Sequence, residues 1–308
     1  MRLGTIFVLS DVRSGSTLVD QCLGAHPSII SLGEVHWLTT YLSQDRGLYN
    51  PAHPLKCSCG KPVRHCGFWN SVEQCLGRPL TSLRLRQSLK RSRREHKLFF
   101  TMRYLPRRLV KRRPSLYRFL PIRFMFDGRS LARDCVALYD AVAAATGRPY
   151  CVDSSKSPFR FYDVYREDPK RTIAIALARD YRAVVHSKMK RGQSMRSAAA
   201  GWRRKMLQIE SLTRGLPASH VFRLTYESLC MNPRHELERV CKFLGIEFKE
   251  AMLQPTTANL HHIGGSPSKF DPTRMKISID RSHEDKFDSD TLRLMRQLVG
   301  EIADQWGY

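Results

Sequence analysis

Apolar and polar positions follow one another in blocks whose period changes along the chain. Thr5-Ile6-Phe7-Val8-Leu9-Ser10 is a short apolar run with β-branched residues, the pattern of a strand buried on both faces. It leads into a polar turn, Asp11-Val12-Arg13-Ser14-Gly15-Ser16-Thr17. Leu18, Cys22 and Ala25 then share one face at helical spacing, and Pro27 ends that helix. Ile29-Ile30-Ser31 predicts a brief extended piece, and Glu34 onward a second helix.

Residues 47–80 are rich in Pro, Gly and Cys and read as irregular, with Phe68-Trp69 anchoring them on the core. Leu83, Leu85, Leu89 and Leu98 form a loose helical face. Asp127 to Thr146 predicts an amphipathic helix carrying Leu131, Cys135, Leu138, Val142 and Ala145, closed by Gly147. Strands follow at Pro149–Val152, Thr172–Leu177 and His220–Leu224. Helices are expected over 159–166, Ala183–Ser187, 195–213 and Pro233–Leu244, the last closed by Gly245. A closing helix over 284–306 would pack Leu292, Met295, Val299, Ile302 and Trp306. Strands alternating with helices imply a parallel α/β sheet, which binds ligands at the carboxyl ends of its strands. The polar turns 13–17, 153–157 and 179–187 each follow a strand, so they can converge on one edge.

At 308 residues and 42% hydrophobic content the chain can bury one substantial core, so a single domain with insertions is expected. The formal net charge of +24 selects an anionic partner. Nucleic acid, acidic polysaccharide, a membrane surface and a polyphosphorylated cofactor all satisfy it. No run approaches the roughly 20 apolar residues that span a bilayer, and the first apolar run is too short for a secretory signal. Nine cysteines fit a reducing compartment, so a cytoplasmic location is expected.

Two stretches stand outside this scheme. Cys57-Ser58-Cys59-Gly60, Cys66 and Cys75 form a cysteine cluster with three readings: plain thiols in a compact loop, a disulfide, or a metal site completed by His53 or His65. The spacing matches no standard C-x-x-C pair, and the adjacent His261-His262 cannot share a helix face, so no metal is assigned. Residues 84–125 hold fifteen Lys or Arg against one acid, Glu95, with aromatics interleaved. They read either as a surface gathering an acidic acceptor or a lipid headgroup, or as a solvated insertion. No nucleic-acid-binding module surrounds them, so nucleic acid is disfavoured.

The first turn carries the chemistry. A strand–turn–helix aims backbone N–H groups and a helix N-terminus at whatever lies above it, which favours an anion. Ser16 and Thr17 add hydroxyl donors and Arg13 a guanidinium fork. The nucleoside-triphosphate loop G-x-x-x-x-G-K-[ST] is absent, because no lysine precedes Ser16 and no glycine stands five residues before Gly15.

Arg13-Ser14-Gly15-Ser16-Thr17-Leu18 resembles the 5′-phosphosulfate loop of sulfotransferases that use 3′-phosphoadenosine-5′-phosphosulfate (PAPS). Arg179-Asp180-Tyr181-Arg182-Ala183-Val184-Val185-His186-Ser187 resembles their 3′-phosphate motif. Asp153-Ser154-Ser155-Lys156-Ser157 resembles their lysine-bearing turn, and Tyr226-Glu227-Ser228-Leu229 with Phe243-Leu244-Gly245 a further segment. The Arg13-to-Glu34 spacing is like that from loop arginine to catalytic glutamate in tyrosylprotein sulfotransferases, and the Glu-base pattern resembles the carbohydrate and tyrosylprotein branches. The resemblance implies a P-loop-like parallel sheet flanked by helices, with insertions at 47–80 and 81–126. It implies PAPS as donor, with sulfuryl transfer to a hydroxyl that needs no metal. A carbohydrate or acidic glycan is the expected acceptor. Protein tyrosine or a small molecule stands as the alternative, and a non-catalytic polyanion binder as another class.

By the same resemblance Glu34 is the general base, with His36 the runner-up. Arg13 and Lys156 stabilise the leaving group. Ser14, Gly15, Ser16 and Thr17 hold the 5′-phosphosulfate. Arg179, Ser187 and Arg191 hold the 3′-phosphate, and Tyr226 touches the adenosine or its phosphate. Ser266 and Lys269, with Lys276, belong to a late loop that closes over the nucleotide. Plainer roles stand beside these: Glu34 as a charge at a helix start, Arg179 with Asp180 as a structural ion pair.

Overall fold

The computed structural model describes residues 4–43, 55–86, 113–118, 128–255, 260–265 and 276–308. Its strands are β1 (Gly4–Leu9), β2 (Ile29–Ser31), β3 (Tyr150–Asp153), β4 (Thr172–Ala178) and β5 (Val221–Thr225). They form one five-stranded sheet in the order β2-β3-β1-β4-β5, with every pairing parallel. The helices are α1 (Ser16–Gly24), α2 (Leu38–Ser43), α3 (Gly67–Leu76), α4 (Gly128–Thr146), α5 (Pro158–Glu167), α6 (Tyr181–Met189), α7 (Met195–Thr213), α8 (Tyr226–Met231), α9 (Pro233–Leu244) and α10 (Ser289–Val299).

β1 is central; its side chains alternate between the two faces of the sheet, and each face is covered by its own core cluster. Ile6 and Val8 pack with Ile175, Leu177, Val19 and Leu237 on one side. Phe7 and Leu9 pack with Leu138, Phe161, Trp202 and Met206 on the other. This explains the continuous apolar run at 6–9: a strand covered on both faces has no polar side to alternate with. Each such side chain contributes about 1.5–3 kcal/mol by leaving water.

Four stretches differ from their sequence patterns. The second helix opens with a 3₁₀ turn, Val35–Trp37, which leaves Glu34 at its N-cap rather than within a helix. Residues 47–80 are not irregular throughout, because α3 forms there and buries Trp69 and Val72 against the core. Leu83 and Leu85 are both buried, but they leave the 3₁₀ turn Leu80–Ser82 in extended backbone, so no helical face forms between them. Leu89 and Leu98, with most of the basic stretch, lie outside the described residues. The closing helix starts at Ser289, capped by Asp288, and breaks at Gly300, whose φ of 65° belongs to the left-handed region. Two 3₁₀ turns then bury Ile302 and Trp306.

Candidate active site

The carboxyl ends of all five strands open into one cleft of about 410 Å³. Each strand delivers a residue to its lining: Arg13 after β1, Glu34 after β2, Lys156 after β3, Arg179 after β4 and Tyr226 after β5. Gly15, Ser16, Thr17, Arg191 and Lys276 complete the expected set. The three turns expected to meet do so because parallel strands put all their carboxyl ends on one edge.

The loop after β1 is held by unusual backbone and by buried charge. Gly15 sits at φ 81°, and a Cβ there would lie 2.4 Å from Cδ2 of Tyr226. Arg13 itself is left-handed at φ 73°, as is Lys156 at φ 61°. Non-glycine residues in this region are uncommon and gather at functional turns. Beneath the loop, Lys188 Nζ donates to Asp11 Oδ2 at 2.5 Å, both side chains buried. The Nε of Arg13 donates to Ser187 Oγ at 2.9 Å, which ties the first turn to α6. Burial, then the charges of Arg191 and Arg179, push the Arg13 guanidinium below its usual value. Such crowding of like charge is relieved by an anion.

Arg179 is nearly buried. It donates to the carbonyl of Arg13 at 3.2 Å and to Asp280 Oδ2 at 3.0 Å, and its guanidinium lies 4.4 Å from the centre of the Tyr226 ring. Its Nε is buried with no partner among the described residues, a donor left to be satisfied. Asp180 does not pair with Arg179: it caps α6 and holds Arg182 at 2.6 Å. Trp202 Nε1 donates to the Arg179 carbonyl at 3.0 Å and fixes the backbone.

Glu34 and Lys156 face each other across the cleft floor as an ion pair. The turn bearing Lys156 is braced by Lys205, whose Nζ donates to the Lys156 carbonyl at 3.1 Å. Burial pushes the Lys205 ammonium down to about 8. A buried network holds the start of this turn: Asp153 Oδ2 accepts from Arg160 Nε at 2.9 Å and from Tyr139 Oη at 2.7 Å. His36 lies off the lining, beside Trp37, and burial pushes its imidazole down to about 4.

Not every candidate reaches the cleft. Ser14 is fully buried and lies outside the lining, and Ser187 meets the site through Arg13. Ser266 and Lys269 lie outside the described residues. Sequence reasoning missed Gln21, Ser278 and Asp280. Gln21 was findable, because it stands one helical turn beyond Thr17. Asp280 carried no signal, since nothing local marks a carboxylate that meets Arg179 from 101 positions away.

A family model described as the sulfotransferase family matches residues 80–250, more than half of the chain. The chain belongs to the sulfotransferase family. Lys156, Arg179, Ser187, Arg191 and Tyr226 fall inside the matched stretch, whereas the Arg13 loop and Glu34 precede it. In fold, this sulfotransferase is similar to the sulfotransferase domain from the curacin biosynthetic pathway, with a TM-score of 0.55 at 20% identity over 100% of this chain and 99% of that one. The sulfotransferase domain of the Synechococcus PCC 7002 olefin synthase matches at 21% identity over 97% of this chain and 96% of that one, with a TM-score of 0.49. No curated protein sequence matches the chain. No helix among the described residues is long and apolar enough to cross a membrane.

Proposed function

We propose that this sulfotransferase takes its sulfuryl group from PAPS and passes it to a hydroxyl of a carbohydrate or acidic glycan. The observation that carries the donor is the cationic cleft itself: Arg13, Lys156, Arg179, Arg191 and Lys276 line one space with, among the described residues, only Glu34 and Asp280 as acids. The unpartnered Nε of Arg179 and the crowded charge on Arg13 both suit a ligand bearing phosphates at two ends.

In this reading the residues divide the work. The Arg13–Thr17 loop holds the 5′-phosphosulfate. Arg179, Arg191 and the Arg13–Ser187 pair hold the 3′-phosphate, and Tyr226 flanks the nucleotide. Lys156 offers its ammonium to the oxygen on which charge develops as the sulfuryl group leaves. Glu34 takes the proton of the acceptor hydroxyl. Its pairing with Lys156 supports this, because carboxylate and ammonium sit together at the edge where acceptor and donor would meet. The buried, neutral His36 stands outside the lining, which favours Glu34 as base.

The acceptor rests on the net charge of +24, which suits an acidic polymer, and the basic composition of residues 84–125 is what would gather it or touch a membrane peripherally. A cytoplasmic setting is in keeping with nine cysteines of which none is paired in a disulfide.

The deciding experiment is thermal stabilisation by 3′-phosphoadenosine-5′-phosphate against ATP and AMP, in the wild type and in Arg13→Ala and Arg179→Ala. Ligand at about 100 times its dissociation constant adds roughly 2.7 kcal/mol. A selective shift lost in both variants supports the donor site. Equal shifts with all three nucleotides, unchanged by the variants, would replace it with general polyanion binding. Radiolabelled sulfate transfer across acidic glycans, tyrosine peptides and small alcohols then tests the acceptor.

A further inference from the structure

Away from the cleft, Cys57, Cys59, Cys66 and His261 come together. Their Sγ and ring nitrogen atoms all lie within 4.8 Å of one another. Cys66 Sγ is 3.6 Å from Cys59 Sγ, 3.7 Å from Cys57 Sγ and 3.3 Å from His261 Nδ1, and Cys57 Sγ is 3.6 Å from the same nitrogen. A tetrahedral ion with sulfur at about 2.3 Å and nitrogen at about 2.0–2.1 Å needs ligand-to-ligand edges of roughly 3.5–3.8 Å. Four of the six spacings, at 3.3–3.7 Å, fall around those edges, and the other two are within 4.8 Å.

The local backbone builds this arrangement. Cys57 and Cys59 sit on a tight turn closed by Gly60 N–H to the Cys57 carbonyl at 2.9 Å and Cys57 N–H to the Lys61 carbonyl at 2.9 Å. Gly60 takes φ 85° there, a conformation that disfavours any other residue. Cys66 is the N-cap of α3, a helix end that favours a thiolate. His261 stacks on Phe68 at 4.5 Å and an interplanar angle of 4°, which fixes its ring while Nδ1 faces the thiols. The spacing pattern pointed to His53 or His65 as partner. His65 is instead exposed, His53 lies outside the described residues, and Cys75 is exposed on α3.

We propose that Cys57, Cys59, Cys66 and His261 form a structural zinc site. Three sulfurs and one imidazole are the donor set that zinc takes in closed, four-ligand sites. A disulfide would engage two thiols and leave the third thiol and the imidazole idle. Three neutral thiols give only weak hydrogen bonds in return for ordering two segments about 200 positions apart. The ion would clamp the insertion to the segment at 260–263. That segment forms an isolated parallel bridge with Gly33, just past the end of β2: Ile263 N–H donates to the Leu32 carbonyl at 2.9 Å, and Glu34 N–H to the Ile263 carbonyl at 2.6 Å. Ser58 strengthens the link, donating to the Leu260 carbonyl at 2.6 Å and accepting from His262 N–H at 2.9 Å. The site would therefore position the backbone of Glu34 from outside the cleft.

The test is metal analysis of the full chain purified in reductant without added metal, followed by exchange with cobalt(II). The expected result is a single zinc per chain and, in the cobalt form, the visible bands and sulfur-to-metal charge transfer of a tetrahedral thiolate site. Cys66→Ser and His261→Ala lose the metal, and Cys75→Ser keeps it. Reduced wild-type protein that holds no zinc and gives no cobalt spectrum overturns the proposal. So does a disulfide among these three cysteines in the purified protein, read by thiol titration under denaturing conditions. The wild-type measurements do not depend on whether a variant folds or on which acceptor the enzyme uses.

Discussion

The ammonium of Lys156 donates to Oε1 of Glu34, joining the turn after β3 to the turn after β2. Neither side chain is more than about a fifth exposed. If Glu34 is the base, Glu34→Gln removes proton acceptance while keeping shape. Transfer should fall by about 10²–10⁴-fold with nucleotide affinity unchanged. Lys156→Met should lower turnover as well, since it removes charge from the leaving group. Calorimetric titration with 3′-phosphoadenosine-5′-phosphate beside a transfer assay reads both. A Glu34→Gln enzyme with wild-type turnover would end the assignment.

Gly15 cannot gain a side chain cheaply. A Cβ at this position meets the Tyr226 ring at 2.4 Å, and the left-handed backbone is already disfavoured for other residues. Gly15→Ala should displace Tyr226 and weaken nucleotide binding by about tenfold or more, a free-energy change of about 1.4 kcal/mol. Far-ultraviolet circular dichroism should remain that of the wild type. Unchanged affinity would mean that Tyr226 does not flank the nucleotide.

Asp280 holds the guanidinium of Arg179 at 3.0 Å, where it would compete with a bound anion. Burial opposes its charge, but hydrogen bonds from Ser282 and Arg179 hold its carboxyl below the usual range. The carboxylate is 48% exposed, so its pairing with Arg179 is worth about 1 kcal/mol or less. Asp280→Asn should therefore raise affinity for 3′-phosphoadenosine-5′-phosphate about two- to fivefold. A loss of affinity would show that Asp280 helps bind the nucleotide instead.

The buried pair of Asp153 and Arg160 supports the lysine turn. Arg160 also donates to the Leu85 carbonyl at 2.6 Å and to Tyr139 Oη at 3.1 Å. Arg160→Met leaves Asp153 charged and uncompensated in the interior, which costs about 3–5 kcal/mol. Urea unfolding would measure it. A cost below about 1 kcal/mol would mean that the network is not a support.

His36 sets a pH dependence of stability. Its folded value, about 4, lies below the usual 6.5 because burial opposes the charged ring, in spite of Glu34 nearby. As pH falls the unfolded chain takes up this proton first, so stability present above 6.5 drains away toward pH 4. Asp20 acts in the opposite sense, because burial raises its carboxyl to about 7. The comparison that isolates His36 is the difference between wild type and His36→Asn. That difference should shrink as pH is lowered through this window. A constant difference would place His36 in a solvated setting.

Much of the fold was legible in local pattern. The apolar runs at 6–9 and 172–177 became the centre of the sheet, and Gly245 ended α9 as its position implied. The turns bearing Arg13, Lys156 and Arg179 were legible too, because each follows a strand and parallel strands end together. The end of the chain was less so: of the expected packing positions Met295, Val299, Ile302 and Trp306 are buried but Leu292 is only part-buried, and Gly300 breaks the helix that the spacing suggested.

The sequence by itself determined which segments are strands and helices, that the sheet is parallel, and that basic turns sit at its carboxyl edge. These follow from side-chain period and from connection lengths, which act over a few residues. Only the tertiary structure decided that His36 lies outside the cleft lining, that Asp280 pairs with Arg179, and that His261 reaches three cysteines some 195–204 positions away. Those contacts join loops whose own patterns are silent. They exist because packing brings distant backbones together, and no periodicity within either segment records it.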